Sequence, residues 1–290
     1  MTDTDPPQRI AKAMARAGLC SRREAERWIT DGRVAVDGTK ITDPALNVTA
    51  ANDVVVDGKP LPKPESARLW RFHKPPGLVT TERDPQGRPT VFDALPGTLP
   101  RVLSIGRLDL NSEGLLLFTN DGEVARQIEL PSTGWARRYR VRVYGPVTQA
   151  KLDSLRKGVV IDGEKFGSIS AEVERQAGSN AWLIVTLKEG RNREIRRVME
   201  HLGYSVNRLI RISYGPFDLG TLERGAVMEV PPGELRAALG RPHKGAKAKP
   251  RKTKPGYKAA RKKAAAKKDP KAGEKPAPKG KANANRRRPV

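Results

Sequence analysis

The sequence predicts an α+β fold, in which strands outnumber helices and do not alternate regularly with them. Short apolar or alternating runs indicate strands over residues 69–73, 102–105, 115–119, 139–144, 182–187 and 208–214. Helical periodicity is confined to residues 123–129, 148–156 and 193–202. Because most successive strands follow one another without a crossover helix, we expect a mixed, largely antiparallel sheet.

A small helix–helix–hairpin module precedes this sheet. Residues 9–17 have helical composition, and Ser21 with Glu24 forms the S-x-x-E capping box of a second helix. Asp-Gly pairs at residues 37–38 and 57–58 each separate two short strand-like runs, which is a hairpin signal. The module therefore has the elements of an independent small domain.

The positive charge is concentrated at the C-terminus. Residues 241–290 hold 20 lysines or arginines and two acids, a net charge of +18 out of +24 for the chain. A segment rich in Lys, Ala, Pro and Gly cannot bury enough apolar surface to offset the entropy of ordering, so we predict a disordered tail. Its charge density favours binding to nucleic acid over a merely solubilising role.

These patterns divide the chain of 290 residues into four parts. The first domain is predicted over residues 8–60, a proline-rich linker over 61–67, a second domain over 68–235 and the basic tail over 241–290.

Several classes of protein are disfavoured. Cys20 is the single cysteine and only three histidines accompany it, and no glycine-rich phosphate loop follows a predicted strand. We therefore predict neither a metal nor an organic cofactor. The N-terminus lacks the apolar segment of a secretory signal, and no apolar run reaches the ~18 residues of a membrane span. We expect a cytoplasmic protein without a membrane partner.

Asp109 is the first candidate catalytic residue. It lies in the turn G-R-L-D-L-N-S-E-G over residues 106–114, between two predicted buried strands. A carboxylate on such a rigid, accessible element suits a nucleophile or general base. Taken alone, an Asp in a turn is more often an Asx-turn residue, so the remaining motifs have to decide between these interpretations.

Two further segments carry chemistry. In R-R-Y-R-V-R-V, period-two alternation puts Tyr139 on one face of a strand and Arg138 on the other. A tyrosine beside arginines can stack a base while the arginines hold phosphates, although a core-edge tyrosine with a solvated basic face fits equally well. In E-G-R-N-R-E-I-R-R, arginines including Arg191, Arg193 and Arg196 crowd the start of a helix, where cations oppose the helix dipole. We expect a phosphate or a buried carboxylate beside them.

The helices of the N-terminal module carry more bases than acids, and by charge alone a solvated surface and an RNA-binding face are equally open. The candidate RNA-binding residues there are Arg9, Lys12, Arg16, Arg22, Arg23 and Arg27.

The order of helix break, capping box, glycine and hairpin over residues 8–56 resembles the S4-type RNA-binding domain. The blocks H-K-P-P-G, G-R-L-D-x-x-S-x-G-L-L-L-F-T-N-D-G, R-R-Y-x-V and E-G-R-N-R-E-I-R-R, in this order, resemble the pseudouridine synthases that act on single sites of ribosomal RNA. Residues 84–96 and the basic extension resemble the large-subunit members most. The expected partner is therefore ribosomal RNA, most closely 23S, as free RNA or an assembly intermediate, bound by a monomer.

The resemblance implies roles for four residues. Asp109 would be the essential carboxylate, acting by covalent attack or by proton removal to a glycal. Tyr139 would stack on the flipped uracil, Arg196 would pair with the carboxylate, and Arg107 would fill the space that the base leaves. The reaction is an isomerisation and needs no cofactor. A 16S enzyme and a non-catalytic RNA-binding assembly factor remain the alternatives.

We predict that deleting residues 241–290 weakens RNA binding most at low salt and leaves the chemical step unchanged, because the tail contributes by counterion release. Dissociation constants of both chains across a salt series, with single-turnover rates at saturating RNA, test this. A chemical step lost at saturation would contradict it.

Overall fold

The structure is a computed structural model that describes residues 6–240, so the predicted tail over 241–290 lies outside the described residues. The N-terminal module contains strands β1 (Gln8–Arg9), β2 (Val34–Val36), β3 (Thr39–Ile41), β4 (Asn47–Val48), β5 (Val54–Val56) and β6 (Lys59–Pro60). Its helices are α1 (Ile10–Arg16) and α2 (Arg22–Thr30).

The capping box forms as the sequence predicts. The Glu24 amide donates to Ser21 Oγ at 3.2 Å, and the Ser21 amide donates to Glu24 Oε2 at 3.0 Å. Strands β2, β3, β5 and β6 form an antiparallel sheet in the order β3-β2-β5-β6. Both helices bury apolar side chains against it, including Ile10, Met14 and Ile29. The helix–helix–hairpin prediction is confirmed.

The second part of the chain, from residue 69, contains eleven β-strands and four α-helices, besides two short 3-10 helices at Pro131–Thr133 and Ser154–Lys157. Its strands are β7 (Leu69–Lys74), β8 (Leu103–Ile105), β9 (Glu113–Thr119), β10 (Arg137–Tyr144), β11 (Val159–Ile161), β12 (Glu164–Phe166), β13 (Ile169–Ala177), β14 (Asn180–Leu187), β15 (Ser205–Tyr214), β16 (Phe217–Asp218) and β17 (Val227–Glu229). Its helices are α3 (Gly122–Glu129), α4 (Gln149–Asp153), α5 (Glu194–His201) and α6 (Pro232–Ala238).

A nine-stranded sheet organises this part, with the order β13-β14-β10-β15-β9-β7-β17 and with β16 and β8 attached to β15 and β9. Every pairing is antiparallel except that of β15 with β9. The predicted α+β class with a mixed, largely antiparallel sheet is confirmed. Within residues 6–240, no helix is long and apolar enough to cross a membrane.

The sheet carries a hydrophobic core on each face. Alternation along β10 places Tyr139, Val141 and Val143 in one core, while Arg138 is exposed on the opposite face. Strand β9 is buried along its whole length, because Leu116 faces the first core and Leu115 the second. A strand covered on both sides is held more rigidly than an edge strand, so the turn preceding β9 has a fixed base.

The single parallel contact depends on Gly114. Its φ is 106°, and a Cβ atom there would lie 2.3 Å from the Arg211 carbonyl oxygen. Only glycine therefore allows β15 to approach the start of β9. This approach joins two segments separated by almost a hundred residues and brings β15 beside the Asp109 turn.

Candidate active site

Asp109 lies in the turn between β8 and β9, and a lysine holds that turn by its backbone. Lys74, the last residue of β7, places its ammonium 3.1 Å from the Asp109 carbonyl oxygen, 2.8 Å from that of Ser112 and 3.4 Å from that of Leu110. It also donates to the Pro75 carbonyl at 3.2 Å. One cation thus satisfies carbonyl groups of the tight turn that have no strand partner.

Lys74 is completely buried. Burial lowers the pKa of its ammonium from 10.5 to about 8, an effect that nearby Asp109 and Glu113 oppose and Arg211 reinforces. The contacts with carbonyl oxygens are therefore the direct compensation for a charge held out of water.

Further hydrogen bonds fix the rest of the turn. Thr80 Oγ1 donates to the Leu108 carbonyl at 2.9 Å, and the Gly77 amide donates to the Leu110 carbonyl at 2.8 Å. At the start of β9, the buried carboxylate of Glu113 pairs with Arg208 and Arg224. None of these contacts uses the Asp109 side chain, which is 34% exposed and faces the cleft.

Arg196 is the cation that faces the Asp109 carboxylate. Its Nε lies 4.0 Å from Asp109 Oδ2, and its Nη1 donates to the Val206 carbonyl at 3.0 Å. Burial and the charge of Arg193 lower the pKa of Arg196, whereas Asp109 raises it. The buried Nε has no hydrogen-bond partner. The Arg196 side chain is therefore positioned by its hydrogen bond to the Val206 backbone, and its charge faces the Asp109 carboxylate.

Arg193, the neighbour that sequence alone could confuse with Arg196, has a different position. It caps α5 in a left-handed conformation, with φ of 51°, and lines the cleft without an ion pair to Asp109. The paired residue of this segment is thus Arg196.

Tyr139 forms the wall of the same cleft. It is 8% exposed, and its Cα partners are Val185 on β14 and Arg211 on β15. The cleft has a volume of about 120 Å³ and opens into a second one of about 580 Å³. Asp109, Arg107 and Arg193 line both cavities. The arrangement can take up a planar apolar ring beside a carboxylate, with cations around the entrance.

The remaining predicted RNA-binding residues take several positions. Arg138 lies on the sheet face opposite Tyr139, so it does not share the cleft with it. Arg191 pairs with Glu164 at 3.0 Å and Glu189 at 2.8 Å. Lys12 pairs with Glu123 of α3 at 2.7 Å. The groove between the two parts of the chain is lined by Lys12, Arg16, Arg22 and Arg23, whereas Arg9 and Arg27 are simply exposed.

Three residues that line or support the cleft were not singled out by the sequence analysis. Lys74 belongs to the H-K-P-P-G block, but the sequence analysis assigned it no role. A lysine that ends an apolar strand directly before Pro-Pro-Gly is unusual, and this position was the available signal. Ser112 and Arg211 line the cleft and are buried. Arg211 lies on the same face of β15 as Leu209, and nothing in the local sequence distinguishes it from the surface arginines nearby.

Comparison with known proteins agrees with this geometry. The RNA pseudouridylate synthase family matches residues 68–201, and the S4 domain family matches residues 8–55. A solved structure described as a pseudouridylate synthase superposes with a TM-score of 0.58 at 24% identity, covering 79% of this chain and 99% of its own. The fold is thus that of a pseudouridylate synthase, preceded by an S4-type domain.

Sequence relatives are closer. An uncharacterized RNA pseudouridine synthase of Rickettsia felis is 51% identical, over 77% of this chain and 96% of its own. Ribosomal large subunit pseudouridine synthase B of Escherichia coli O157:H7 is 44% identical, over 77% of this chain and 79% of its own length. The protein of the same name from Pasteurella multocida is 43% identical, over 77% of this chain and 67% of its own length. The chain belongs to the RNA pseudouridine synthase family.

We predict that Lys74→Met lowers the free energy of unfolding by about 3 kcal/mol, because the turn carbonyls lose their buried cationic donor. The Asp109 turn should then shift, and turnover should fall with it. Chemical denaturation and a turnover assay measure both effects, and Lys165→Met on exposed β12 is the matched control.

The pH dependence of stability has a definite sign at this residue. The folded protein loses the Lys74 proton near pH 8, whereas the unfolded chain keeps it to about 10.5. Between these values the unfolded state binds more protons, so this titration raises the free energy of unfolding with pH. The free energy of unfolding of Lys74→Met lacks this rise. The difference in that free energy between the wild type and the variant should therefore widen above pH 8. A difference that narrows with pH would contradict the assignment.

Proposed function

We propose that this protein converts a specific uridine of ribosomal RNA into pseudouridine, and that its substrate is the 23S RNA of the large subunit. The relatives at 43–44% identity are named for the large subunit, and this chain covers 67–79% of their length. The match includes the S4-type module, whose expected RNA contacts depend on shape and phosphates. Cytoplasmic action as a monomer is part of the proposal.

The proposed essential group is the Asp109 carboxylate. The observation that carries this assignment is its exposure to the cleft opposite Arg196 at 4.0 Å, while its backbone is held by Lys74. A nucleophile or base must be both fixed in place and free to reach the substrate. In the reaction, the bond between ribose C1′ and uracil N1 breaks, the base turns, and C5 joins C1′.

The other residues of the cleft have supporting roles in the proposal. Tyr139 stacks on the flipped uracil, Arg196 orients the carboxylate, and Arg107 fills the space that the base leaves. Flipping a base costs a few kcal/mol, which stacking and phosphate contacts have to offset. Exposed Arg193 at the mouth of the cleft is suited to those phosphate contacts.

The two alternatives differ in testable ways. A small-subunit enzyme would keep the same cleft and act on 16S RNA, so only the modified site would differ. A non-catalytic assembly factor would have no use for a carboxylate faced by a buried arginine and a buried tyrosine. The arrangement of Asp109, Tyr139 and Arg196 therefore favours an enzyme.

We predict that Asp109→Asn keeps the fold and RNA binding and lowers turnover on the order of 10⁴-fold or more, because the amide neither attacks nor accepts a proton. Single-turnover pseudouridine formation measures this loss. Asp162→Asn, in the exposed turn between β11 and β12, is the matched control. Appreciable turnover by Asp109→Asn would refute the role of the carboxylate.

The substrate is tested by mapping pseudouridine in both ribosomal RNAs from cells with and without the gene. We expect one 23S site to disappear and to return with the wild-type gene, but not with the Asp109→Asn gene. A missing 16S site would replace the proposed substrate and keep the chemistry. No change at any site in either RNA would favour the assembly-factor alternative.

A further inference from the structure

Two buried hydrogen-bond donors that line the cleft have no partner in the described part of the chain, and neither has the buried carboxylate oxygen Oε1 of Glu194. Arg211 is 2% exposed and Ser112 1% exposed, and both line the cavity that holds Asp109 and Tyr139. Arg211 Nη2 and Ser112 Oγ each lack a hydrogen-bond partner. Buried polar groups are almost always hydrogen-bonded, so two that converge on one cavity indicate that a ligand supplies the missing partner.

The contacts that anchor the Arg211 side chain leave its Nη2 without a hydrogen-bond partner. Its Nε donates to the Leu115 carbonyl at 2.7 Å, and its guanidinium lies 5.3 Å from the centre of the Tyr214 ring. Within residues 6–240, no carboxylate oxygen lies within 4.0 Å of it. A buried guanidinium without an anion is costly, so its native partner should carry negative charge or acquire it.

The position of Arg211 fits a contact with the base. It pairs with Tyr139 on β10, so the two side chains lie next to each other on the same face of the sheet. On its other side it pairs with Gly114, and its Nη1 would lie 4.0 Å from a Cβ placed on Gly106. The guanidinium therefore reaches between the tyrosine that would stack the uracil and the turn that carries Asp109.

Ser112 approaches from that turn. Its amide donates to the Asp109 carbonyl at 3.0 Å and its carbonyl accepts from Lys74 at 2.8 Å, which fixes its backbone. The hydroxyl is thus a second donor, held at a constant position three residues after the carboxylate.

We propose that Arg211 is a catalytic residue that donates through its guanidinium to a carbonyl oxygen of the flipped uracil, with the Ser112 hydroxyl as a second donor to the base. This inference rests on the proposed function of the cleft. The two donors stabilise the charge that the base acquires when it leaves the ribose, and they retain the detached base in the cleft.

The chemistry requires such a group. When the bond between C1′ and N1 breaks, its electron pair stays with uracil, and the negative charge spreads over the two carbonyl oxygens. The ring then supplies an electron pair to form the C5–C1′ bond, C5 loses its proton and N1 gains one, so the product is an isomer. Donors fixed beforehand where charge develops are worth far more than donors that have to reorganise.

The experiment compares single-turnover rates at saturating RNA for the wild type, Arg211→Met and Arg211→Lys. The substrate is the ribosomal RNA fragment containing the mapped uridine. We expect Arg211→Met to lose about 100-fold in rate, with the dissociation constant little changed, and Arg211→Lys to recover part of the loss. Arg142→Met, exposed on the opposite face of the sheet, is the matched control and should keep the full rate.

Substrates carrying 2-thiouridine or 4-thiouridine at the target identify the contact. Sulfur is a poorer acceptor, so the thio group at the contacted carbonyl should slow the wild type more than it slows Arg211→Met. If each thio substrate slows the wild type and Arg211→Met by the same factor, the inference is overturned. An Arg211→Met effect confined to RNA affinity would also overturn it, because such an effect indicates a phosphate contact. If Arg211→Met does not fold, the same comparison with Ser112→Ala decides.

The wild-type protein and Arg211→Met together distinguish failure of the proposed function from failure of this inference. A wild-type protein that forms no pseudouridine in ribosomal RNA would overturn the proposed function and this inference together. A fully active Arg211→Met protein would overturn the inference alone.

Discussion

The rest of the cleft depends on one buried ammonium. Lys74 enters the turn between β8 and β9 and binds the carbonyl oxygens of Asp109, Leu110 and Ser112. A carboxylate close to Lys74 would be the simpler way to neutralise a buried lysine, and Asp109 would then be consumed as its ion-pair partner. Backbone oxygens bind the ammonium instead. The lysine therefore fixes the backbone of Asp109, while the Asp109 side chain faces the cleft.

The second constraint is the parallel contact of β15 with β9. Gly114 makes room for the Arg211 backbone, and the carboxylate of Glu113 binds Arg208 and Arg224 at the same junction. Since α5 immediately precedes β15 in the chain, this contact also sets where Arg196 approaches the Asp109 turn. A few residues at one crossing thus bring together segments that lie far apart in sequence.

The sequence predicted the parts of this arrangement that have local signals. Alternation placed Tyr139 and Arg138 on opposite faces of a strand, and the glycine-bounded turn singled out Asp109. Edge strand β13 was missed although Ile169, Ala171 and Val173 alternate with polar residues, because its last four residues are exposed and continue no such pattern. Arg211 was missed because its burial depends on β9 and β10 packing on either side, which no local pattern records.

The separation between Arg196 and Asp109 suits the proposed reaction. At 4.0 Å the pair is electrostatic, whereas a bidentate bond would bring two N–H groups to about 2.8 Å from the carboxylate. A tight pair would stabilise the resting carboxylate more than the reacting one and so raise the barrier. In the proposed reaction, the observed arrangement keeps the counter-charge near and leaves the oxygens of Asp109 free to reach the ribose.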